Sequence, residues 1–171
     1  MLHIYCGDGK GKTTAALGLA LRAAGSGMAV LLVQLMKGGF TSELAALSRI
    51  PEITVRRCDR DYDFSFRMDT DERVQITACH NRLLTEAAEA LRSGRADMVV
   101  LDEFFAAWST ELLDRRLAEQ LVAACPETAE LVLTGRNPEA DFLELADYVS
   151  EMRAVKHPYE KGIAARKGIE Y

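Results

Sequence analysis

YCGDGKGKTTAALG, residues 5–18, carries the end of the phosphate-loop pattern G-x-x-x-x-G-K-[ST] in Gly11, Lys12 and Thr13. Five places before Gly11, where the pattern has glycine, stands Cys6. A triphosphate needs a concave row of backbone N–H groups and a balancing cation. Glycines at 7, 9 and 11 permit positive φ angles and close backbone approach. The helix that follows adds its positive N-terminal end. The expected cradle is therefore Gly7, Asp8, Gly9, Lys10, Gly11, Lys12, Thr13 and Thr14. Lys12 reaches phosphate oxygens, Thr13 ligates magnesium, and Thr14 offers a second hydroxyl. The plainer reading is a glycine-rich turn between a strand and a helix. It leaves the lysines at 10 and 12 to repel each other with no anion between them.

Outward from this loop, apolar runs alternate with helical stretches. Leu2–Cys6 is a short run entering the loop, and Thr13–Ala24 is a buried helix closed by Gly25 and Gly27. Ala29–Met36 reads as a buried strand, Ser42–Arg49 as a short helix and Ile53–Arg57 as a weaker strand. Asp59–Thr70 fits neither pattern; its Asp59, Asp61 and Asp63 read as solvated surface. Asp71–Arg92 is helical, with Val74, Leu83, Leu84, Ala87, Ala88 and Leu91 as core candidates. There follow a strand at Asp97–Leu101, a helix at Glu111–Ala124 and a strand at Glu130–Leu133. A helix at Pro138–Ala146, a strand at Tyr148–Met152 and the tail 153–171 complete the chain.

This order predicts one α/β domain over 1–171 with a mostly parallel central sheet between helical layers. Such sheets bind ligands beyond the carboxyl ends of their strands. The loops after Cys6, Met36, Leu101 and Leu133 then gather on one edge, bringing Lys12, Lys37, Glu103 and Arg136 together. MVVLDE, residues 98–103, is an apolar run ending in acid, the Walker B form, whose carboxylates hold magnesium directly or through water. With the Gly-Lys-Thr loop upstream, the expectation is a P-loop, RecA-like three-layer fold. Thr13 and Glu103 are its expected metal ligands, and Arg136 and, more weakly, Lys37 its phosphate partners.

The composition narrows the partners. The chain has 171 residues, 49% hydrophobic and 27% charged, with net charge −5. That balance does not suggest non-specific nucleic-acid binding. No apolar run reaches the roughly 18 to 20 residues of a membrane span. The N-terminus lacks the order of a signal peptide, so a cytoplasmic location is expected. The cysteines at 6, 58, 79 and 125 form no C-x-x-C pair, which disfavours zinc and iron–sulfur sites. They read as reduced thiols packing as small hydrophobes.

Four segments together resemble the P-loop type of cob(I)alamin (corrinoid) adenosyltransferases. They are GDGKGKTTAALGLALRAAGSGMAVLLVQLMKG (7–38), VVLDEF (99–104), LTGR (133–136) and ELADYVSEMRAVKHPYEKGIAARKGIEY (144–171). The ending is the most specific of these. That family's loop also lacks the usual first glycine, which accounts for Cys6.

The resemblance implies transfer of the 5′-deoxyadenosyl group of ATP to the Co(I) of a corrinoid, with triphosphate leaving, in adenosylcobalamin biosynthesis or salvage. Lys12, Thr13 and Glu103 are then the catalytic residues, with Mg²⁺ or Mn²⁺ on Thr13 and Glu103. It implies a triphosphate reversed in its loop, a homodimer and a flavin-dependent reductant for cobalt. It also implies aromatic side chains that exclude the corrinoid's lower axial ligand, for which Phe64 and Phe66 stand in the corresponding stretch. Trp108 reads as a packing residue, His157 as a structural hydrogen-bonding residue, and the tail as a cover for the nucleotide. Relatives carry an N-terminal extension that helps cover the corrinoid. This sequence begins at its first strand, so a weaker cover, or one supplied by the second subunit, is expected. The competing readings are a P-loop kinase or ATPase moving a phosphoryl group, and a non-catalytic nucleotide- or corrinoid-binding module.

Overall fold

Val30–Gln34 and Met98–Asp102 are buried at every position. Strands that read as continuous apolar runs, without alternation, belong to a parallel sheet covered on both faces. The computed structural model, which describes residues 1–39, 41–60 and 67–170, has that arrangement. Its strands are β1 (Leu2–Cys6), β2 (Val30–Gln34), β3 (Ile53–Arg57), β4 (Met98–Asp102), β5 (Glu130–Thr134) and β6 (Tyr148–Glu151). They lie in the order β3-β2-β4-β5-β1-β6, and every pairing is parallel.

The helices are α1 (Lys12–Gly25), α2 (Leu44–Leu47), α3 (Thr70–Arg92), α4 (Phe104–Ser109), α5 (Arg115–Ala123) and α6 (Ala140–Leu145), with a 3₁₀ turn at Pro158–Lys161. Successive side chains of a strand point to opposite faces, and the core divides accordingly. Val30, Leu32, Met98, Val100 and Val132 pack with Ala16, Ala20 and Ala23 of α1 and Leu47 of α2. Leu31, Val33, Val99, Leu101, Leu131 and Leu133 pack under α3, α4, α5 and Phe142 of α6. Small alanines let α1 lie close beneath the sheet. No helix among the described residues is long and apolar enough to cross a membrane.

Several expectations change. The sheet is wholly parallel. Val74 is exposed: the buried stripe of α3 is Ile76, His80, Leu83, Leu84, Ala87 and Leu91. Val74 lies two residues before Ile76, about 200° away around the helix. The helix expected at Glu111–Ala124 starts after Asp114, whose carboxylate caps it by accepting from the Leu117 N–H at 3.1 Å. A short helix not anticipated, α4, precedes it. It carries Phe104, Phe105 and Trp108 into an aromatic cluster with Phe142. Trp108 packs edge-on against Phe142 at 4.8 Å and donates its indole N–H to Glu139 at 2.8 Å. The cysteines are not all free thiols. Cys58 and Cys79 form a disulfide from the end of β3 to α3, while Cys6 and Cys125 are free. Their pairing depends on tertiary proximity across 21 positions of sequence.

The exit of β6 crosses the glycine loop. The Met152 N–H donates to Cys6 O at 2.8 Å, and the Gly9 N–H donates to Met152 O at 2.7 Å. Gly7, at φ 102°, and Gly9 both abut this backbone. A Cβ on Gly9 would stand 2.6 Å from Met152 O, against main chain that cannot swing aside. Gly18, in the middle of α1, has nothing within 4 Å of such a Cβ. Gly9→Ala is therefore expected to lower the unfolding free energy by about 2–3 kcal/mol. Gly18→Ala is expected to raise it by about 0.5–1 kcal/mol. Urea unfolding of the two variants checks the opposite signs.

Candidate active site

The glycine loop leaves β1 at the carboxyl edge of the sheet and opens α1 at Lys12. Beside it ends β4. Its last residue, Asp102, is fully buried, and its carboxylate is the centre of the site. Thr13 Oγ1 and Thr134 Oγ1 each donate to Asp102 Oδ1 at 2.8 Å. Lys37 Nζ contacts Asp102 Oδ2 at 2.7 Å. Thr134 Oγ1 in turn accepts the Glu103 N–H at 2.9 Å. Four loops, following β1, β2, β4 and β5, are thus tied to one another by side chains.

Of the acidic pair Asp102-Glu103, Asp102 is the one that touches Thr13. The signal was in the strand parity. Asp102 shares a face with Met98 and Val100, the face against which α1 packs. Glu103 lies just outside the strand, in the left-handed region at φ 59°. It lines the neighbouring cavity with Lys12, Thr13 and Thr14. Burial, with the Asp102 charge beside it, raises the Glu103 carboxyl above its ordinary range, against the opposing pull of Lys37, Lys12 and Arg136.

Lys12 is half-buried and donates to Gly9 O at 2.9 Å. Burial lowers its ammonium, the Arg136 charge lowers it further, and Glu103 and Asp8 oppose the shift. Arg136 is exposed and lines a cavity with Asp8, His157 and Tyr159. Asp8 Oδ1 accepts the Ala154 N–H at 3.2 Å, the main reason its carboxyl is lowered, with Arg136 and Lys12 contributing. Lys12, Thr13, Lys37, Glu103 and Arg136 therefore share one edge. A cavity of 550 Å³ opens there, lined by Thr13, Thr14, Lys37 and Glu103, and by Gly168 and Ile169 from the far end of the tail. A cavity of 490 Å³ near Met1, Leu2 and Asp147 lies away from these groups. Phe64 and Phe66 fall outside the described residues.

The loop after β2 is held from below. Met36 is left-handed at φ 58°, and its N–H donates to His80 Nε2 at 3.1 Å. His80 Nδ1 lies 2.6 Å from Leu112 O. The imidazole is fully buried, and burial lowers its basicity. His80 was legible as a core position: it falls on the α3 stripe between Ile76 and Leu84. Which groups it bonds depends on tertiary structure.

Among the described residues, no group of three or more His, Cys, Asp or Glu side chains is placed to hold a metal ion. The donors beside the loop are the Thr13 hydroxyl and the Asp102 and Glu103 carboxylates, all oxygen. One or two carboxylates completed by phosphate oxygens and water is the donor set magnesium accepts.

A parallel three-layer sheet whose first strand enters a Gly-Lys-Thr loop, with the threonine bonded to the acid ending a second strand, defines a P-loop nucleotide-binding fold. Residues 1–171 match the family model for ATP:corrinoid adenosyltransferase BtuR/CobO/CobP. Over its full length the chain is 35% identical to the corrinoid adenosyltransferase of Escherichia coli K12, covering 85% of that protein. It is 36% identical to that of Pseudomonas aeruginosa, covering 83%, and 34% identical to the corrinoid adenosyltransferase CobA of Salmonella typhimurium, covering 85%. The chain belongs to the ATP:corrinoid adenosyltransferase family.

The buried imidazole has a consequence for stability. Its ordinary value is 6.5 and the folded value is lower. Between the two, the folded chain binds fewer protons than the unfolded chain. The stability held by neutral His80 is therefore fully present above 6.5 and lost as pH falls through the lowered folded value. The unfolding free energy of wild type should fall more steeply on acidification through this window than that of His80→Gln. Urea titrations at stepped pH read the difference in slope.

Proposed function

We propose that this protein transfers the 5′-deoxyadenosyl group of ATP to the Co(I) of a corrinoid, either cobalamin or a biosynthetic precursor. The observation that carries the reading is the family match along the whole chain, tail included, on a site whose cations and hydroxyls converge beside a glycine loop. A Co–C bond forms from the cobalt electron pair. The C5′–O bond breaks, and triphosphate leaves with the bonding pair. Co(I) is nucleophilic without losing a proton, so the protein needs no general base. Its task is to hold ATP with C5′ presented and to stabilise the leaving charge.

Lys12, Thr14, Arg136 and the loop amides hold the triphosphate in this reading. The Gly9 amide is engaged by Met152, so Gly9 contributes the shape of the loop. Mg²⁺ or Mn²⁺ would be held by Thr13 and Glu103, directly or through water, with Asp102 orienting the Thr13 hydroxyl. The metal supplies charge neutralisation on the triphosphate. Presentation of C5′ calls for triphosphate lying reversed relative to a phosphoryl-transfer site. Residues 168–170 line the cavity mouth, which supports the tail as a cover over the nucleotide. Phe64 and Phe66 are assigned to the lower face of the corrinoid on the family resemblance. A homodimer, a flavin-dependent reductant for cobalt and a cytoplasmic location belong to the same proposal. In a reducing compartment Cys58 and Cys79 would stand as adjacent thiols.

Anaerobic incubation of the protein with Mg-ATP and chemically reduced cobalamin tests the reading. The expected products are a light-sensitive cobalt–carbon bond, followed by absorbance, and intact triphosphate. ADP as the nucleotide product would overturn it in favour of phosphoryl transfer. Bound ATP and corrinoid without turnover would favour a binding module. Lys12→Ala should lower turnover by about 10²-fold or more, the scale of one lost charge-stabilising donor. Phe64→Ala and Phe66→Ala should slow reduction of bound Co(II) more than transfer from preformed Co(I). Equal losses in both assays would remove them from the axial-ligand role.

A further inference from the structure

We infer that His80 is a positioning residue for the active site, setting the backbone that carries Lys37 to Asp102. His80 sits at the middle of α3 and does not line either cavity beside the glycine loop. Leu112 O can only accept, so His80 Nδ1 carries the proton across the 2.6 Å contact. Nε2 is then left as a lone pair, and it receives the Met36 N–H at 3.1 Å. One neutral ring thus bridges two loops, the one after β2 and the one between α4 and α5. Both loops hold a non-glycine residue in the left-handed region, Met36 at φ 58° and Glu111 at φ 57°. Such backbone persists only where its surroundings hold it.

Lys37 follows Met36 directly. Its long stem has many rotamers, yet its ammonium lies 2.7 Å from Asp102 Oδ2 with only 24% of the side chain exposed. Leu35, on the other side of Met36, is tied to the same strand end, its N–H donating to Asp102 O at 3.1 Å. Met36 is the residue between these two anchors, and His80 is the side chain that holds its amide. A leucine would fill the same place in the apolar stripe. It would leave the partly buried Met36 N–H and the buried Leu112 carbonyl without these partners, at a cost that is largest for the buried carbonyl. The ring therefore does more than fill the core: it fixes the approach of Lys37, and through Asp102 the orientation of Thr13.

The inference rests on the cavity being the ATP site, and its test reads ATP binding before any turnover. Gln at position 80 can place an acceptor near the former Nε2 and take the Met36 N–H. Asn is shorter and can keep only the bond to Leu112. Mg-ATP affinity is measured by calorimetry for wild type, His80→Gln, His80→Asn, Lys37→Met and the double variant His80→Asn/Lys37→Met. The expected result is a loss of roughly tenfold for His80→Asn, the scale of one buried hydrogen bond, with His80→Gln within about threefold of wild type. The His80→Asn effect should vanish in the Lys37→Met background, because a residue acting through Lys37 has nothing left to position.

Equal losses in the Gln and Asn variants, or a His80→Asn effect that persists without Lys37, would overturn the inference. If a variant does not fold, the wild-type imidazole decides. Two-bond ¹H–¹⁵N correlation should show the Nδ1–H tautomer with an unprotonated Nε2, and an Nε2–H tautomer would refute the arrangement. Coupled ATP affinities in a protein that fails to adenosylate would keep this inference and sink the proposed reaction. Adenosylation with uncoupled affinities would do the reverse.

Discussion

Asp102 holds a carboxylate out of water at the end of a central strand, and a charge placed there must be matched. Leaving a buried carboxylate unpaired costs several kcal/mol. Here the match is an ammonium on one oxygen and two hydroxyls on the other. The partners come from the start of α1, the loop after β2 and the end of β5, so the chain must bring the ends of β1, β2, β4 and β5 into one small volume. A parallel sheet does this without further device, because its strand ends align. The interaction ties these segments together and gathers hydroxyl and carboxylate oxygens beside the glycine loop.

The glycine loop answers to two constraints at once. Phosphate recognition asks for backbone that anions can approach. Packing asks for room where the exit of β6 crosses the loop, with Met152 O against Gly7 and Gly9. The second demand couples the loop to the tail, which begins at residue 153 and returns at 168–170 to the cavity beside Thr13 and Thr14. Around this loop, burial and the Arg136 charge disfavour the Lys12 ammonium, and burial and the Asp102 charge disfavour the Glu103 carboxylate.

Much of this was legible in the amino-acid order because it depends on local pattern. The strands β2 and β4 announce themselves as unbroken apolar runs, α1 as an alanine-rich helix behind a glycine loop, and the site edge as the ends of parallel strands. The convergence of Lys12, Lys37, Glu103 and Arg136 followed from that alone. Other features were less accessible. Val74 looked apolar enough for the core but sits on the wrong side of α3. The helix α4 is six residues long, too short for a periodic signal, and it is held by aromatic packing against Phe142. The strand's two-residue alternation turns Asp102 toward α1 and Thr13, while Glu103 lies just beyond the strand at the cavity.

By itself the sequence determined the layer architecture and the glycine loop, and a tail that resembles the family's ending implied the kind of group the nucleotide donates. These are set by periodicity, by glycine placement and by strings of residues, all carried along the chain. Only the tertiary structure decided that Asp102 takes the Thr13 hydroxyl, that Met152 occupies the Gly9 amide, and that His80 reaches both Met36 and Leu112. Each is a directional hydrogen bond between residues 32 to 143 positions apart. Hydrogen-bond direction depends on where two backbones meet in space, and no local pattern records that meeting.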